Sequence, residues 1–166
     1  MFEYNGCTMM MNPGKARTTA ARRAEAQALV AFVQCGPGKG LAGIRLTGAT
    51  GSTTGEYFVP FVVRAGASDQ EYVYAGLTAA VERLRTAQIE RVLIIVDDQQ
   101  LVDELERKVE PSRELFLQYV ILGCKLNEFR RAKVVAATSS RLEQLRSKTE
   151  SLAATIYDAP LLAHAI

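Results

Sequence analysis

The sequence VLIIVDDQQLV, residues 92–102, joins an unbroken apolar run to two adjacent acids. The apolar part, Val92–Val96, is typical of a buried strand, and Asp97 and Asp98 follow where that strand ends. Another acid, Glu71, stands at the start of a predicted helix earlier in the chain. An acid at a strand end and an acid at a helix start can meet in space, and facing carboxylates are ligands for divalent metal ions. This junction therefore predicts an α/β sheet with a candidate metal site.

The composition is that of one ordinary globular domain. The chain has 166 residues, of which 48% are hydrophobic and 23% charged, and its net charge of +2 implies neither nucleic-acid nor membrane binding by itself. No apolar run approaches the ~20 residues of a membrane span. Three scattered cysteines, Cys7, Cys35 and Cys124, favour reduced thiols in an intracellular compartment, cytoplasmic or organellar. His164 is the only histidine, which argues against histidine-based catalysis.

The order of predicted elements indicates a mixed sheet covered by helices. Early strands connected by hairpin-type loops are expected to pair antiparallel, and two later strands are expected to add in parallel through helical crossovers. Pro60 in the third predicted strand favours a sheet edge or a bulge. The predicted strands are 28–34, 41–47, 56–65, 91–96 and 133–137, and the predicted helices start near 71, 101, 115 and 140.

This order resembles the ribonuclease H fold, and several motifs resemble the reverse-transcriptase-associated branch of that family. The family's second acid begins a helix, as Glu71 does here, and its third acid follows an apolar strand, as Asp98 does. Its last acid lies at the start of the final helix, where Glu143 is the best match and Glu150 the second choice. The resemblance implies a five-stranded mixed sheet, with three antiparallel strands followed by two parallel ones, flanked by helices.

The family's first motif is an Asp-Gly at the end of the first strand, followed by Asn-Pro-Gly. Asn5-Gly6 and Asn12-Pro13-Gly14 resemble this pair, but Asn5 stands in place of the aspartate. A second alignment uses residues 33–38 and places Cys35 at the acid position. We therefore expect a single domain over 1–157 with an insertion around 15–55, a tail over 158–166, and a site that lacks its first carboxylate in either alignment.

The resemblance also implies a chemistry. Members of the family hydrolyse the RNA strand of RNA–DNA hybrids with two Mg²⁺ ions held by several carboxylates. Glu71, Asp98 and Glu143 are the expected catalytic residues, with Glu71 and Asp98 as metal ligands. The missing first acid predicts a degenerate site, so Mg²⁺ is expected as a cofactor only if activity survives.

The candidate acids also have structural interpretations. Glu71 is favoured in a first helical turn by the helix dipole. Ser140 and Glu143 have the spacing of a capping box, in which the glutamate satisfies backbone groups at the helix start. Both interpretations stay open beside the metal-site interpretation.

A basic strip between Arg130 and Lys148 suggests contact with a phosphate backbone. This stretch contains six bases and one acid, Glu143. The candidate nucleic-acid-binding residues are Arg130, Arg131, Lys133 and Arg141. A solvated helix face is the alternative interpretation.

Three functions remain open at this point. The first is a catalytically degenerate ribonuclease H-like module that binds RNA or an RNA–DNA hybrid, or serves as a structural part of a larger assembly such as a ribonucleoprotein. The second is an active metal-dependent ribonuclease. The third is a protein-interaction subunit without a nucleic-acid role, suggested by the near-neutral charge and the apolar residues 160–166.

Overall fold

The computed structural model describes residues 24–157, which form a five-stranded sheet with helices on both faces. The sheet has the order β3-β2-β1-β4-β5. In chain order the elements are β1 (Ala26–Gln34), β2 (Lys39–Thr47), β3 (Thr53–Val62), α1 (Asp69–Thr86), β4 (Arg91–Val96), α2 (Gln99–Leu105), α3 (Phe116–Leu126), β5 (Arg131–Ala136) and α4 (Ser139–Tyr157).

The strand pairing is mixed, which confirms the predicted fold class. The first three strands are antiparallel neighbours, whereas β4 joins β1 in parallel and β5 joins β4 in parallel. Pro60 lies on β3 at one edge of the sheet, where a residue without an N–H is tolerated. Of the two positions that the proline favoured, an edge or a bulge, the structure shows the edge.

Successive side chains of a strand point to opposite faces of the sheet, so an apolar layer lies on each face. On one face, Val30 and Ile94 pack in the cluster that holds the buried residues of α1, α2 and α3. On the other face, their neighbours Ala31 and Ile95 pack against Leu142 and Leu145 of α4.

Helix α4 approaches the sheet closely because β2 carries a glycine at the crossing point. A Cβ atom at Gly43 would lie 2.0 Å from Oγ1 of Thr149, which is buried on α4. Only a residue without a side chain fits there.

The first strand of the described sheet comes from the range 15–55, in which we expected an insertion. Both β1 and β2 lie within that range and supply the centre of the sheet. The alternative first-strand position, around Asn5, lies outside the described residues, as do the predicted tail 158–166 and its apolar residues. The division into a domain and a tail remains a prediction.

The described helices include none that is long and apolar enough to cross a membrane.

Candidate functional site

Two of the acids and one cysteine lie at the carboxyl ends of β1 and β4, which pair in parallel at the centre of the sheet. Asp97 and Asp98 follow β4 directly, and Cys35 follows β1. Carboxyl ends of parallel strands lie at the same edge of a sheet, which is where ligands of open α/β sheets bind.

Glu71 completes a capping box at the start of α1. Its backbone N–H donates to Oγ of Ser68 at 3.3 Å, while its Oε2 accepts from the Ser68 backbone N–H at 2.7 Å. Arg64 donates to both carboxylate oxygens, at 2.7 Å and 3.0 Å. The Glu71 side chain is only 4% exposed, so these contacts satisfy a nearly buried carboxylate.

These contacts lower the pKa of Glu71. The largest cause is the hydrogen bond from Arg64, followed by the backbone hydrogen bond from Ser68, and both outweigh desolvation. The sequence contained the signal for this arrangement, because Ser68-Asp69-Gln70-Glu71 has the Ser-x-x-Glu spacing of a capping box. Our sequence interpretation placed Glu71 at the helix start and missed Ser68 and Arg64.

Asp98 caps the next helix. Its Oδ1 accepts a hydrogen bond from the Leu101 backbone N–H at 2.8 Å, and its extended backbone is that of an N-cap residue. One oxygen of this candidate metal ligand is therefore committed to starting α2.

Asp97, the other strand-end acid, is bound by an arginine from α4. The guanidinium of Arg146 donates to Oδ2 of Asp97 and, through its other terminal nitrogen, to the backbone carbonyl of Phe32 at 3.2 Å. Arg146 lies on α4, which packs on the sheet face that carries Ala31 and Ile95. A cation supplied by the chain itself thus bridges the ends of β1 and β4.

Strand β1 carries no acid level with Asp97 or Asp98. Leu29 pairs with Ile95 in the last pair of the register, and the rest of β1, Val30 to Gln34, contains no acid. Cys35 lies three residues further along the chain, and its Sγ donates to the Val33 carbonyl at 3.6 Å.

The two candidates for the last acid lie in different places on α4. Glu143 is exposed and lines a shallow groove with Arg45 and Lys148 on the side of β2. Glu150 lines a different pocket, beside Cys35 and Tyr157. Among residues 24–157, no group of three or more His, Cys, Asp or Glu side chains lies close enough to hold a metal ion.

A buried acid that sequence reasoning missed lies behind the candidate site. Glu104 on α2 is 1% exposed; it accepts from the Tyr74 hydroxyl at 2.5 Å and from Nε2 of Gln100 at 2.9 Å. Burial first, and then the hydrogen bond to Glu104, raise the pKa of Tyr74, so its hydroxyl stays a donor. The pair joins α1 to α2.

The four bases singled out in the sequence are exposed in and around β5, the second edge strand. Arg130, Arg131 and Lys133 lie at its start and middle, and Arg141 lies in the first turn of α4 just beyond its end. Two further bases of the strip are engaged, since Arg146 binds Asp97 and Lys148 binds Glu56. Fewer bases of the strip are therefore available to a ligand than the sequence suggested.

Helix α3 exposes an apolar stripe on the surface. Phe116, Leu117, Val120 and Ile121 are 57%, 66%, 40% and 40% exposed. A cavity of about 460 Å³ lies beside the stripe, between α3 and β5. Exposed patches of this kind on a small domain are typical of protein interaction sites.

Solved structures with this architecture were found by comparison. Ribonuclease H1 from the halophilic archaeon Halobacterium salinarum NRC-1 matches with a TM-score of 0.64 and 17% identity, over 76% of this chain and 98% of that one. The N-terminal ribonuclease H domain of Rv2228c from Mycobacterium tuberculosis was solved as a fusion with maltose-binding protein. It matches with a TM-score of 0.61 and 16% identity, over 80% of this chain and 98% of that one. LC11-RNase H1 in complex with an RNA/DNA hybrid matches with a TM-score of 0.60 and 14% identity, over 77% of this chain and 98% of that one.

No protein-family model and no curated protein matches the sequence. At identities of 17% and below, the structural matches show the fold alone. The chain has a ribonuclease H-like fold, which confirms the fold expected from the order of its elements.

Proposed function

We propose that this chain is a non-catalytic ribonuclease H-like module that binds the backbone of a nucleic acid as part of a larger assembly, such as a ribonucleoprotein. The observation that carries this proposal is the placement of Arg146, whose guanidinium bridges Asp97 and the Phe32 carbonyl. A positive charge built into the chain stands where the strand ends converge, and it repels a divalent cation from the same position.

The remaining acids support the loss of a metal site. Two-metal hydrolysis needs several carboxylates around two ions about 4 Å apart. Glu71 is held by Arg64 and Ser68, Asp98 caps α2, and no acid stands level with them on β1. The acids within residues 24–157 therefore do not fit a pair of Mg²⁺ ions.

Nucleic-acid binding is supported by the bases along β5. A six-residue strand is about 20 Å long, so Arg131 and Lys133 with Arg141 beyond the strand form a row of roughly that length. Arginine and lysine side chains in such a row can contact successive phosphates without reading bases. Charged side chains on an edge strand also prevent sheet-to-sheet association, and the binding experiment below separates the two roles.

The place in an assembly is supported by the exposed stripe on α3. Removing Phe116, Leu117, Val120 and Ile121 from water against a protein partner would be favourable by roughly 25 cal/mol per Å² of apolar surface buried. The stripe lies on the opposite face of the sheet from α4, so a protein partner there leaves Arg141 on α4 accessible.

An RNA–DNA hybrid is the natural first ligand, because the LC11-RNase H1 structure contains one. We expect the full chain to bind a 20-base-pair hybrid, and neutralisation of Arg130, Arg131, Lys133 and Arg141 to glutamine to weaken binding. Each lost phosphate contact reduces the magnitude of the slope of log K against log salt by about 1. The slope measured for the quadruple variant should therefore be smaller by up to about 4. Fluorescence anisotropy across a salt series measures this slope.

A matched control neutralises four other exposed bases: Lys39, Lys108, Arg113 and Lys148, the last of which belongs to the basic strip but is bound by Glu56. It removes the same charge but should keep a slope close to that of the wild-type chain. Equal losses in both variants would mean that only net charge matters, and an unchanged slope in the β5 variant would overturn the proposed surface.

A further inference from the structure

The exposed stripe on α3 carries large side chains at one end and small ones at the other. At the start of the helix, Phe116 and Leu117 are 57% and 66% exposed. Toward its end stand Gly123 and the exposed Cys124. A Cβ atom added to Gly123 would meet no neighbouring element of the described fold within 4 Å. The stripe therefore protrudes at its first turn and leaves open space at its last.

The open space at the end of α3 continues into the cavity of about 460 Å³. Gly123 and Cys124 line this cavity from the helix, and Ala132 is one of the residues that line it from β5. Phe116 lies on the same side of α3, because its ring centroid is 6.3 Å from that of Tyr119, which also lines the cavity. Along the helix axis, however, Phe116 and Cys124 are about 12 Å apart. The ring is thus too far from the cavity to fill it within its own chain.

We propose that α3 packs against α3 of a second copy of this chain in a two-fold symmetric dimer. The two helices run antiparallel about an axis near Val120, which sets Phe116 of each copy opposite Cys124 of the other. Each ring then enters the open end of the other copy's cavity. This inference rests on the proposed function, which assigns the stripe to a protein partner, and it names that partner.

A second copy fits the stripe because the difference in size becomes self-complementary when one helix is reversed. In an isologous contact, residue i of one subunit meets residue j of the other, and j meets i. Phe116 lies four residues before Val120, and Cys124 lies four residues after it. Reversal about Val120 therefore pairs large with small at both ends. A parallel arrangement would set the two Phe116 rings against each other and leave both cavities open.

The charges at the two ends of α3 are complementary in the same arrangement. Arg113 and Glu114 are exposed just before the helix, and Lys125 and Glu128 lie at its other end. Reversal of one helix brings Glu114 toward Lys125, and Arg113 toward Glu128. Both residues at the far end also pair with side chains of α1 in their own chain. Opposite charges at the rim of an interface favour one register over others.

The expected dimer is a weak one. The helix has 11 residues and is about 16 Å long, so a contact built on it lies at the low end of the size range of specific interfaces. An interface of that size forms reversibly. The fraction of dimer should therefore rise with the concentration of the protein.

Cross-linking tests the register directly. In the full chain with Cys7 and Cys35 replaced by serine, Leu117→Cys leaves Phe116 in place and lies opposite Cys124 of the second copy. A bismaleimide that spans the interaxial distance of about 8–10 Å should join the two positions, and mass spectrometry of the linked peptides identifies them. The matched control is Ser147→Cys, which adds an exposed thiol on α4 and should give no such link.

Sedimentation equilibrium tests the contact without any reagent. Across a roughly hundredfold range of concentration, the mass of the wild-type chain should rise from that of a monomer toward twice that value. Val120→Arg sets two like charges against each other at the axis and should raise the dissociation constant by about 100-fold or more. Ile156→Arg is the matched control, because it makes the same change at an exposed apolar residue of α4 and should leave the constant unchanged.

The outcomes separate the dimer from the proposed function. A chain that stays monomeric, and that gives no more covalent dimer with Leu117→Cys than with Ser147→Cys, would show that another protein or another segment of the chain covers the stripe. Hybrid binding that depends on the β5 bases would then still support the proposed function. A dimer that Val120→Arg leaves intact would also overturn the α3 contact. A dimer that Val120→Arg breaks, in a chain that binds no hybrid, would contradict the proposed nucleic-acid binding and leave the α3 contact standing.

Discussion

At the scale of single residues, the candidate acids are explained by the cations and backbone groups that surround them. Arg64 holds Glu71, Arg146 holds Asp97, and a backbone N–H holds Asp98. A carboxylate that already accepts several hydrogen bonds is a weaker candidate for a metal ligand than one that faces solvent. The arrangement stabilises two helix starts and one strand end, which is a structural use of residues that resemble catalytic ones.

The lowered pKa of Glu71 gives a prediction for pH dependence. Because the folded pKa lies below the unfolded value, the ionised carboxylate stabilises the fold fully above about pH 5, and this contribution is lost as the pH falls through the folded pKa. Glu71→Gln should lower the free energy of unfolding at pH 7 by about 1 kcal/mol, the size of a helix cap. Between about pH 5 and 3, the free energy of unfolding of Glu71→Gln should fall less steeply than that of the wild-type chain.

Urea unfolding at a series of pH values measures both effects. Arg64→Met is the matched variant, because it removes the largest cause of the lowered pKa and keeps the capping box. Its effect at pH 7 should be smaller than that of Glu71→Gln, since Arg64 is 59% exposed and exposed ion pairs contribute little. A steeper acid dependence in Glu71→Gln than in the wild-type chain would show that this carboxylate is not held in its ionised form.

At the scale of secondary-structure elements, the contact between α1 and α2 depends on one buried polar pair. Tyr74 is 0% exposed and Glu104 is 1% exposed, and the hydroxyl of the first donates to the carboxylate of the second. The short helix α2 has only seven residues, so tertiary contacts such as this one, rather than its own propensity, hold it in place.

Removal of the Tyr74 hydroxyl should therefore destabilise the fold. Tyr74→Phe leaves a buried carboxylate oxygen without its donor, at a cost of about 1 to 3 kcal/mol in the free energy of unfolding. Thermal or urea unfolding measures this loss. Tyr119→Phe is the control, because Tyr119 is partly buried on α3 and packs against Phe116.

A double variant shows whether the unsatisfied carboxylate is the cause. Adding Glu104→Leu to Tyr74→Phe replaces both polar groups with apolar ones and should recover part of the lost stability. Suppose instead that adding Glu104→Leu lowers the free energy of unfolding again by as much as Tyr74→Phe alone did. The hydrogen bond would then not be what couples the two residues.

At the scale of the whole molecule, local patterns predicted the elements better than they predicted the site. Alternation and apolar runs placed β4 and the other described strands to within a few residues, and the element order indicated the mixed sheet. The first family motif was harder to place, because Asn5-Gly6 and Cys35-Gly36 both follow short apolar segments and strand pairing is decided by distant residues. Asn5 lies outside the described residues, whereas Cys35 follows β1 directly.

The contacts that define the candidate site could not be read from local sequence. Arg146 meets Asp97 only because α4 crosses the sheet at a particular place, and the two residues are 49 positions apart in the chain. Glu104 stands in an acidic stretch that suggests solvent exposure, and its burial depends on how α2 packs against α1. Glu143 has the spacing of a family acid, but the structure places it in an exposed groove near β2.

The central claim is that this fold holds a nucleic acid without cutting it. The most direct measurement incubates the full wild-type chain with a labelled RNA–DNA hybrid in Mg²⁺ or Mn²⁺, at concentrations where anisotropy shows binding, beside an active ribonuclease H as positive control. We predict a bound hybrid whose RNA strand stays intact, with no difference between the wild-type chain and Asp98→Asn. Cleavage by the wild-type chain that Asp98→Asn abolishes would contradict the account.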